Sequence, residues 1–196
     1  MQVRASRFVA WTAGIAAFAL AVPVVLACVI PRNLAEQLTM AGDEVVVGTV
    51  QSVRETTLPD AIDPSRGRAV WTEVDFRADE SFVTGRKSFD LHVYFRGGVL
   101  PGSETTSITP SPEDIRTGRK LLLFLGKRPY VTTNFGADAL QLDSYAECYR
   151  LIDVTDQGVE RRVILGRGAG AAFPLNLTAD DARARVGEVL AQRKKK

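Results

Sequence analysis

Asp43–Arg54, DEVVVGTVQSVR, is the stretch on which the fold turns. Val45, Val46 and Val47 form a run suited to burial on both faces, and the segment turns polar at Gln51, Ser52 and Arg54. β-Branched side chains fit a pleated, packed surface, so the run reads as a strand. Gly48 interrupts it, and a glycine inside a strand marks a bulge or a sharp bend. A long first strand bent at a glycine can serve two sheets at once, as the corner of a small Greek-key barrel requires.

Further strands follow downstream. In Val70–Ala78 the residues Val70, Thr72, Val74, Phe76 and Ala78 share one face, and Trp71, Glu73, Asp75 and Arg77 share the other. This period of two predicts a half-buried strand. Leu91–Arg96 repeats the pattern, with Leu91, Val93 and Phe95 opposite His92, Tyr94 and Arg96, and Gly97-Gly98 ends it. Leu121–Leu125, LLLFL, is continuous and apolar, as expected of a strand buried on both faces. Tyr130–Thr133, Ala146–Val154 and Glu160–Leu165 carry weaker strand signals. Glu55–Ala69, with Pro59, Pro64 and Gly67, reads as a loop, and so does the segment from Gly97 to Gly118.

Two helices frame the strands. Asn33 with Glu36 forms a loose capping box before Leu34 and Leu38, and Gly42 stops that helix. Thr178 with Asp181 opens a second helix, with Ala182, Val186 and Leu190 along one face. Asn176-Leu177-Thr178 also spells a glycosylation sequon, and Thr178 is read as the cap. The chain ends in a basic tail, Arg193–Lys196, read as a solvated end.

Length and composition bound the rest. A chain of 196 residues, 45% hydrophobic and 24% charged, is ordinary for one globular domain. Its net charge of +2 comes from the leader: removing Arg4 and Arg7 from the 25 basic residues leaves 23, equal to the 23 acidic ones. A neutral remainder gives no support to nucleic-acid binding.

Residues 1–27 place Arg4 and Arg7 before an uncharged, mostly apolar run, Phe8–Ala27. That order is an export signal or, because the run approaches the length of a bilayer span, a retained anchor. Cys28 follows directly and has two exclusive readings. Leu26-Ala27-Cys28 resembles a loose lipobox, which would place lipid on the Cys28 sulfur. The other reading pairs Cys28 with Cys148, the only other cysteine, in an oxidising compartment, and the bland alternative leaves both as unpaired small apolar residues.

Motifs for chemistry are sparse. With one histidine and two cysteines, a structural zinc site of four Cys or His ligands is excluded. No Asp-rich loop has EF-hand spacing, no glycine-rich loop has the setting of a phosphate cradle, and Gly-x-Ser-x-Gly is absent. His92, between Leu91 and Val93, reads as a barrel-face residue. The acid pairs Asp79-Glu80 and Glu113-Asp114 read as solvated turns. No catalytic, cofactor-binding or metal-binding residue is assigned, and no cofactor is expected.

The order of elements carries a resemblance. A leader, NLAEQLTMAGDEVVVGTVQSV, then WTEVDF running into DESFVTG, a Gly-Gly loop and TGRKLLLFL together look like a group of small bacterial exported proteins. Their expected fold is similar to the OB barrel of netrin-like domains, which include tissue inhibitors of metalloproteinases. The resemblance spans about Leu34–Tyr130. In those inhibitors the mature N-terminal cysteine chelates the protease zinc, and Cys28 would occupy the matching end. This chain departs from the pattern at Ile30, where the inhibitors carry a second cysteine, and at Val29, where they carry a small hydroxyl residue.

The reading is a mainly β, OB-fold-like (netrin-like) Greek-key barrel with a short N-terminal and a C-terminal helix. Its divisions are 1–27 for targeting, 28–170 for the barrel, and 171–196 for the C-terminal helix and basic tail. The expected role is a non-catalytic, extracytoplasmic binding module with a protein or envelope partner. Membrane association would run through residues 1–27 or a lipidated Cys28. In OB folds the first strand–strand loop contributes to binding, and here it offers Asp60, Asp63, Arg66 and Arg68. The alternatives are inhibition of an extracytoplasmic protease and hydrolysis by loop carboxylates.

Overall fold

The computed structural model describes residues 33–41, 44–59, 67–98, 114–142, 148–168 and 171–195, all within one compact unit, Pro31–Lys196. The elements are α1 (Leu34–Ala41), β1 (Glu44–Pro59), β2 (Arg68–Ser81), β3 (Lys87–Arg96), β4 (Lys120–Gly126), α2 (Pro129–Phe135), β5 (Leu140–Leu142), β6 (Cys148–Asp156), β7 (Val159–Ile164), β8 (Leu177–Thr178) and α3 (Ala179–Arg193).

Five strands close into an OB-fold-like barrel in the order β1-β2-β3-β5-β4, with β4 returning to β1. Every pairing in it is antiparallel except β3 with β5. β1 makes closure possible. Glu44–Thr49 pair with Leu125–Lys120 of β4, while Val46–Pro59 pair with β2 on the other edge. The expected irregularity falls at Gly48: Val47 faces Glu80 and Gly48 faces Ala78, which leaves Asp79 as the extra residue. A Cβ at Gly48 would lie 2.1 Å from the Arg77 carbonyl oxygen, so only glycine lets the two backbones approach this closely. A second shift, between Val50 and Ser52, leaves Gln51 extra. It resets the alternation, so that Val53 packs on the barrel core while Ser52 and Arg54 reach the outward carboxylates of β2.

The barrel interior is filled by inward residues of all five strands, among them Val46, Val50, Phe76, Val93, Leu123 and Leu140. The outer side of β1 and β4 carries a second core. There Val45, Val47, Leu122 and Phe124 are covered by Leu38 of α1, Tyr149 of β6, Phe173, and Ala182 and Val186 of α3. LLLFL is therefore buried on both faces, as its composition predicts. The caps also form as expected. Asn33 Oδ1 accepts from the Glu36 N–H at 2.9 Å, and Thr178 Oγ1 accepts from the Asp181 N–H at 3.1 Å.

Two expectations are corrected. Tyr130–Thr133 forms no strand; it lies in α2, which starts with Pro129 at its first turn and ends at Gly136, φ 112°. Proline costs nothing at that position, because its missing N–H would be unpaired anyway. Docking overrides the β-branched composition: Tyr130, Val131 and Phe135 pack with Trp71 and Tyr94 in a third core on the outside of β2 and β3. Nor is Glu55–Ala69 a loop throughout. β1 runs to Pro59 and β2 begins at Arg68, because Thr56, Thr57 and Leu58 continue the ladder opposite Trp71, Val70 and Ala69.

Candidate functional site

With the outer faces of β1 and β4 covered by the α3 side, and one end of β2–β3 covered by α2, no described element covers the middle of the β1–β2–β3 exterior. Register decides which side chains meet there. Ser52 is opposite Asp75, Arg54 opposite Glu73, Glu73 opposite Tyr94 and Asp75 opposite His92. On a sheet, directly opposed side chains on one face are neighbours, and those two residues along a strand follow on the same face.

The contacts form a connected lattice. Ser52 Oγ donates to Asp75 Oδ2 at 2.5 Å, and His92 Nδ1 lies 2.9 Å from Asp75 Oδ1. Tyr94 donates its hydroxyl to Glu73 Oε1 at 3.0 Å. The Arg54 guanidinium bridges the two acids, 3.1 Å from Glu73 and 3.5 Å from Asp75. Further along the strands, Arg77 pairs with Asp90 at 2.9 Å and donates to Ser88.

The lattice sets the protonation states of its members. The Ser52 hydrogen bond, aided by His92 and Arg54, outweighs partial burial and holds the Asp75 carboxyl below its ordinary value of 3.8. Burial pushes the Tyr94 phenol up to about 12, and the Glu73 carboxylate adds to the shift because a phenolate beside it would be repelled. At neutral pH Asp75 is therefore ionised, and Tyr94 is neutral with its hydroxyl donated to Glu73.

An aromatic shelf lies beside this lattice. Tyr94 stacks on Phe135 with ring centroids 3.9 Å apart, and Trp71 lies between Tyr130 and Phe135 at 5.5 and 6.0 Å. The phenol that touches Glu73 is thus clamped by the helix that follows β4.

The loop residues expected to bind are Asp60, Asp63, Arg66 and Arg68. Asp60, Asp63 and Arg66 fall outside the described residues. Arg68 is the first residue of β2 and donates to the Thr57 hydroxyl at 3.0 Å and to the Thr57 carbonyl, so it belongs to the hairpin ladder. Cys148 is buried against the barrel core. No disulfide occurs among the described residues, and Cys28, the other half of the expected pair or the expected lipid carrier, lies outside them.

His92 occupies the expected barrel-face position, with its partner Asp75 one strand away. Asp79 and Glu80 are not a solvated turn. They belong to β2, pair with Arg162 and Arg183, and line a cavity of about 610 Å³ under the start of α3. Glu113 lies outside the described residues, and Asp114 is half-buried. Glu73, Asp75, Ser52 and Tyr94 escaped notice as site residues. Their signal was alternation: each occupies an outward position on adjacent strands. Comparison of the chain with protein families, with curated proteins and with solved structures finds no match.

Proposed function

We propose that the protein is an extracytoplasmic, non-catalytic binding module that engages a protein or envelope partner through the open exterior of β1, β2 and β3. The observation that carries this reading is the lattice of Ser52, Arg54, Glu73, Asp75 and His92, held in register on three strands, covered by no described element and anchored by the buried Tyr94. Charged groups fixed on a rigid sheet recognise a partner by complementary charge and hydrogen bonding, with little ordering cost on the barrel's side. OB folds commonly bind ligands on the face of their second and third strands and through the loop joining the first two. In sequence, the β1–β2 connection that carries Asp60, Asp63 and Arg66 joins two of these strands.

The extracytoplasmic part of the reading rests on residues 1–27 and Cys28. It expects an intact mass lacking residues 1–27 for protein taken from the cell envelope; a retained Met1 would replace export with anchoring. The recognition part is tested by capture. The purified protein should retain an envelope partner that Glu73→Lys and Asp75→Lys variants of unchanged melting temperature fail to retain. Equal capture by the variants would place recognition elsewhere. Inhibition of a metalloprotease by a form with a free Cys28 amine, insensitive to both variants, would favour the inhibitor reading instead.

A further inference from the structure

We propose that Glu73, Asp75 and His92 form a binding site for a divalent transition-metal ion of the zinc class, with Arg54 as a neighbouring cation that competes with the metal for the charge of the two carboxylates. The ligand atoms of these three residues all lie within 4.8 Å of one another. Sets of three protein ligands with open positions are the pattern of metal sites that keep water or take a further ligand. All three project from adjacent, hydrogen-bonded strands, so their spacing is set by the ladder and not by a loop.

The hydrogen-bond pattern leaves suitable lone pairs. Ser52 occupies Asp75 Oδ2 and Tyr94 occupies Glu73 Oε1, so an ion would take Oε2 of Glu73 and would replace the contact between Asp75 Oδ1 and His92 Nδ1. Ser52 and Tyr94 then act as the outer partners that orient carboxylate ligands. Asp75 Oδ1 and His92 Nδ1 now lie 2.9 Å apart. Two ligands at about 2.0–2.2 Å in tetrahedral geometry are separated by roughly 3.3–3.5 Å, so the pair needs to open by only about half an ångström.

Arg54 supplies the second line of argument. Its side chain is 60% exposed, yet its guanidinium sits against Glu73 Oε1 and Asp75 Oδ2, the oxygens of the two carboxylates that the ion would not take. Positive charge is therefore stabilised at this point of the surface, by a group on a flexible stem that can swing into water. An imidazole nitrogen with two carboxylate oxygens suits zinc, copper, nickel or cobalt over magnesium or calcium, which favour oxygen ligands. His92 is 61% exposed, so a hydrated ion has direct access.

The site lies on the same face as the proposed recognition lattice, but its test uses metal alone, so its failure leaves the recognition reading standing. His92 is the chain's single histidine, and its ring nitrogen resonances therefore assign themselves in protein made without a histidine tag. Micromolar Zn²⁺, with Mg²⁺ as control, should shift the His92 Nδ1 resonance. Glu73→Gln should weaken binding about 10-fold or more, and Arg54→Gln, by removing the competing cation, should tighten it several-fold. Amide spectra verify that both variants keep the fold. His92 resonances unmoved by millimolar Zn²⁺ in wild type and Arg54→Gln would overturn the proposal. An equal response in Glu73→Gln and Asp75→Asn would do the same, since it would reduce the effect to a lone surface imidazole.

Discussion

The outside of the barrel has two contrasting halves. On β1 and β4, Val45, Val47, Leu122 and Phe124 are apolar and lie under α1, α3 and the segment around Phe173. On the middle of β1, β2 and β3 the equivalent outward positions are Ser52, Arg54, Glu73, Asp75 and His92, and they stay open. The same closed sheet therefore carries one exterior built for packing and one built from paired charges. Exposed ion pairs contribute little to stability, typically about 0–1 kcal/mol each, whereas a buried Leu or Phe side chain contributes about 1.5–3 kcal/mol by transfer alone. The charged half is thus unneeded for stability, and its order calls for another explanation.

Substitutions should separate the halves. Phe124→Ala, on the covered half, removes a fully buried ring in edge or tilted contact with Tyr149 and Phe173. It should cost about 3–5 kcal/mol in denaturant titration, through lost transfer energy and a residual cavity. Thr178→Ala removes the cap that seats α3 over the same core and should cost about 1 kcal/mol by the same measurement. Arg54→Gln, on the open half, should cost less than about 1 kcal/mol. A loss from Arg54→Gln as large as that from Phe124→Ala would break the comparison, because the lattice would then be structural.

The pH dependence of stability should be smaller and confined to its limbs. Asp75 is held below 3.8 in the folded state, so its contribution is present above that value and is lost as pH falls through the depressed folded value. Tyr94 is raised from 10.0 to about 12, so its contribution is present below pH 10 and is lost as pH rises from 10 to 12. Asp75→Asn should flatten the acid limb and Tyr94→Phe the alkaline limb of stability measured across pH.

Much of the contrast was legible in the chain itself. The Val45–Val47 run and LLLFL announced strands packed on both sides, and the alternation in Val70–Ala78 and Leu91–Arg96 announced strands with a polar exterior. Gly48 marked the corner because only a missing Cβ tolerates the Arg77 carbonyl at that distance. The site was less legible. Which outward residue of one strand faces which of the next depends on register, and the bulges at Asp79 and Gln51 change that register. α2 was hidden because Tyr130, Val131, Thr132 and Thr133 favour strands locally, and only docking on Trp71 and Tyr94 reverses the preference. Pro129 and Gly136, at its two ends, were the signals available.

Carboxyl footprinting of the protein, free and bound to a captured envelope protein, tests the central claim most directly. Carbodiimide labelling should be suppressed on Glu73 and Asp75 in the bound state, while Glu160 and Asp180 beside the α3 cavity label equally in both states. Protection of Glu160 and Asp180, with Glu73 and Asp75 labelled alike free and bound, would contradict the assignment of the open β1–β2–β3 face as the binding surface.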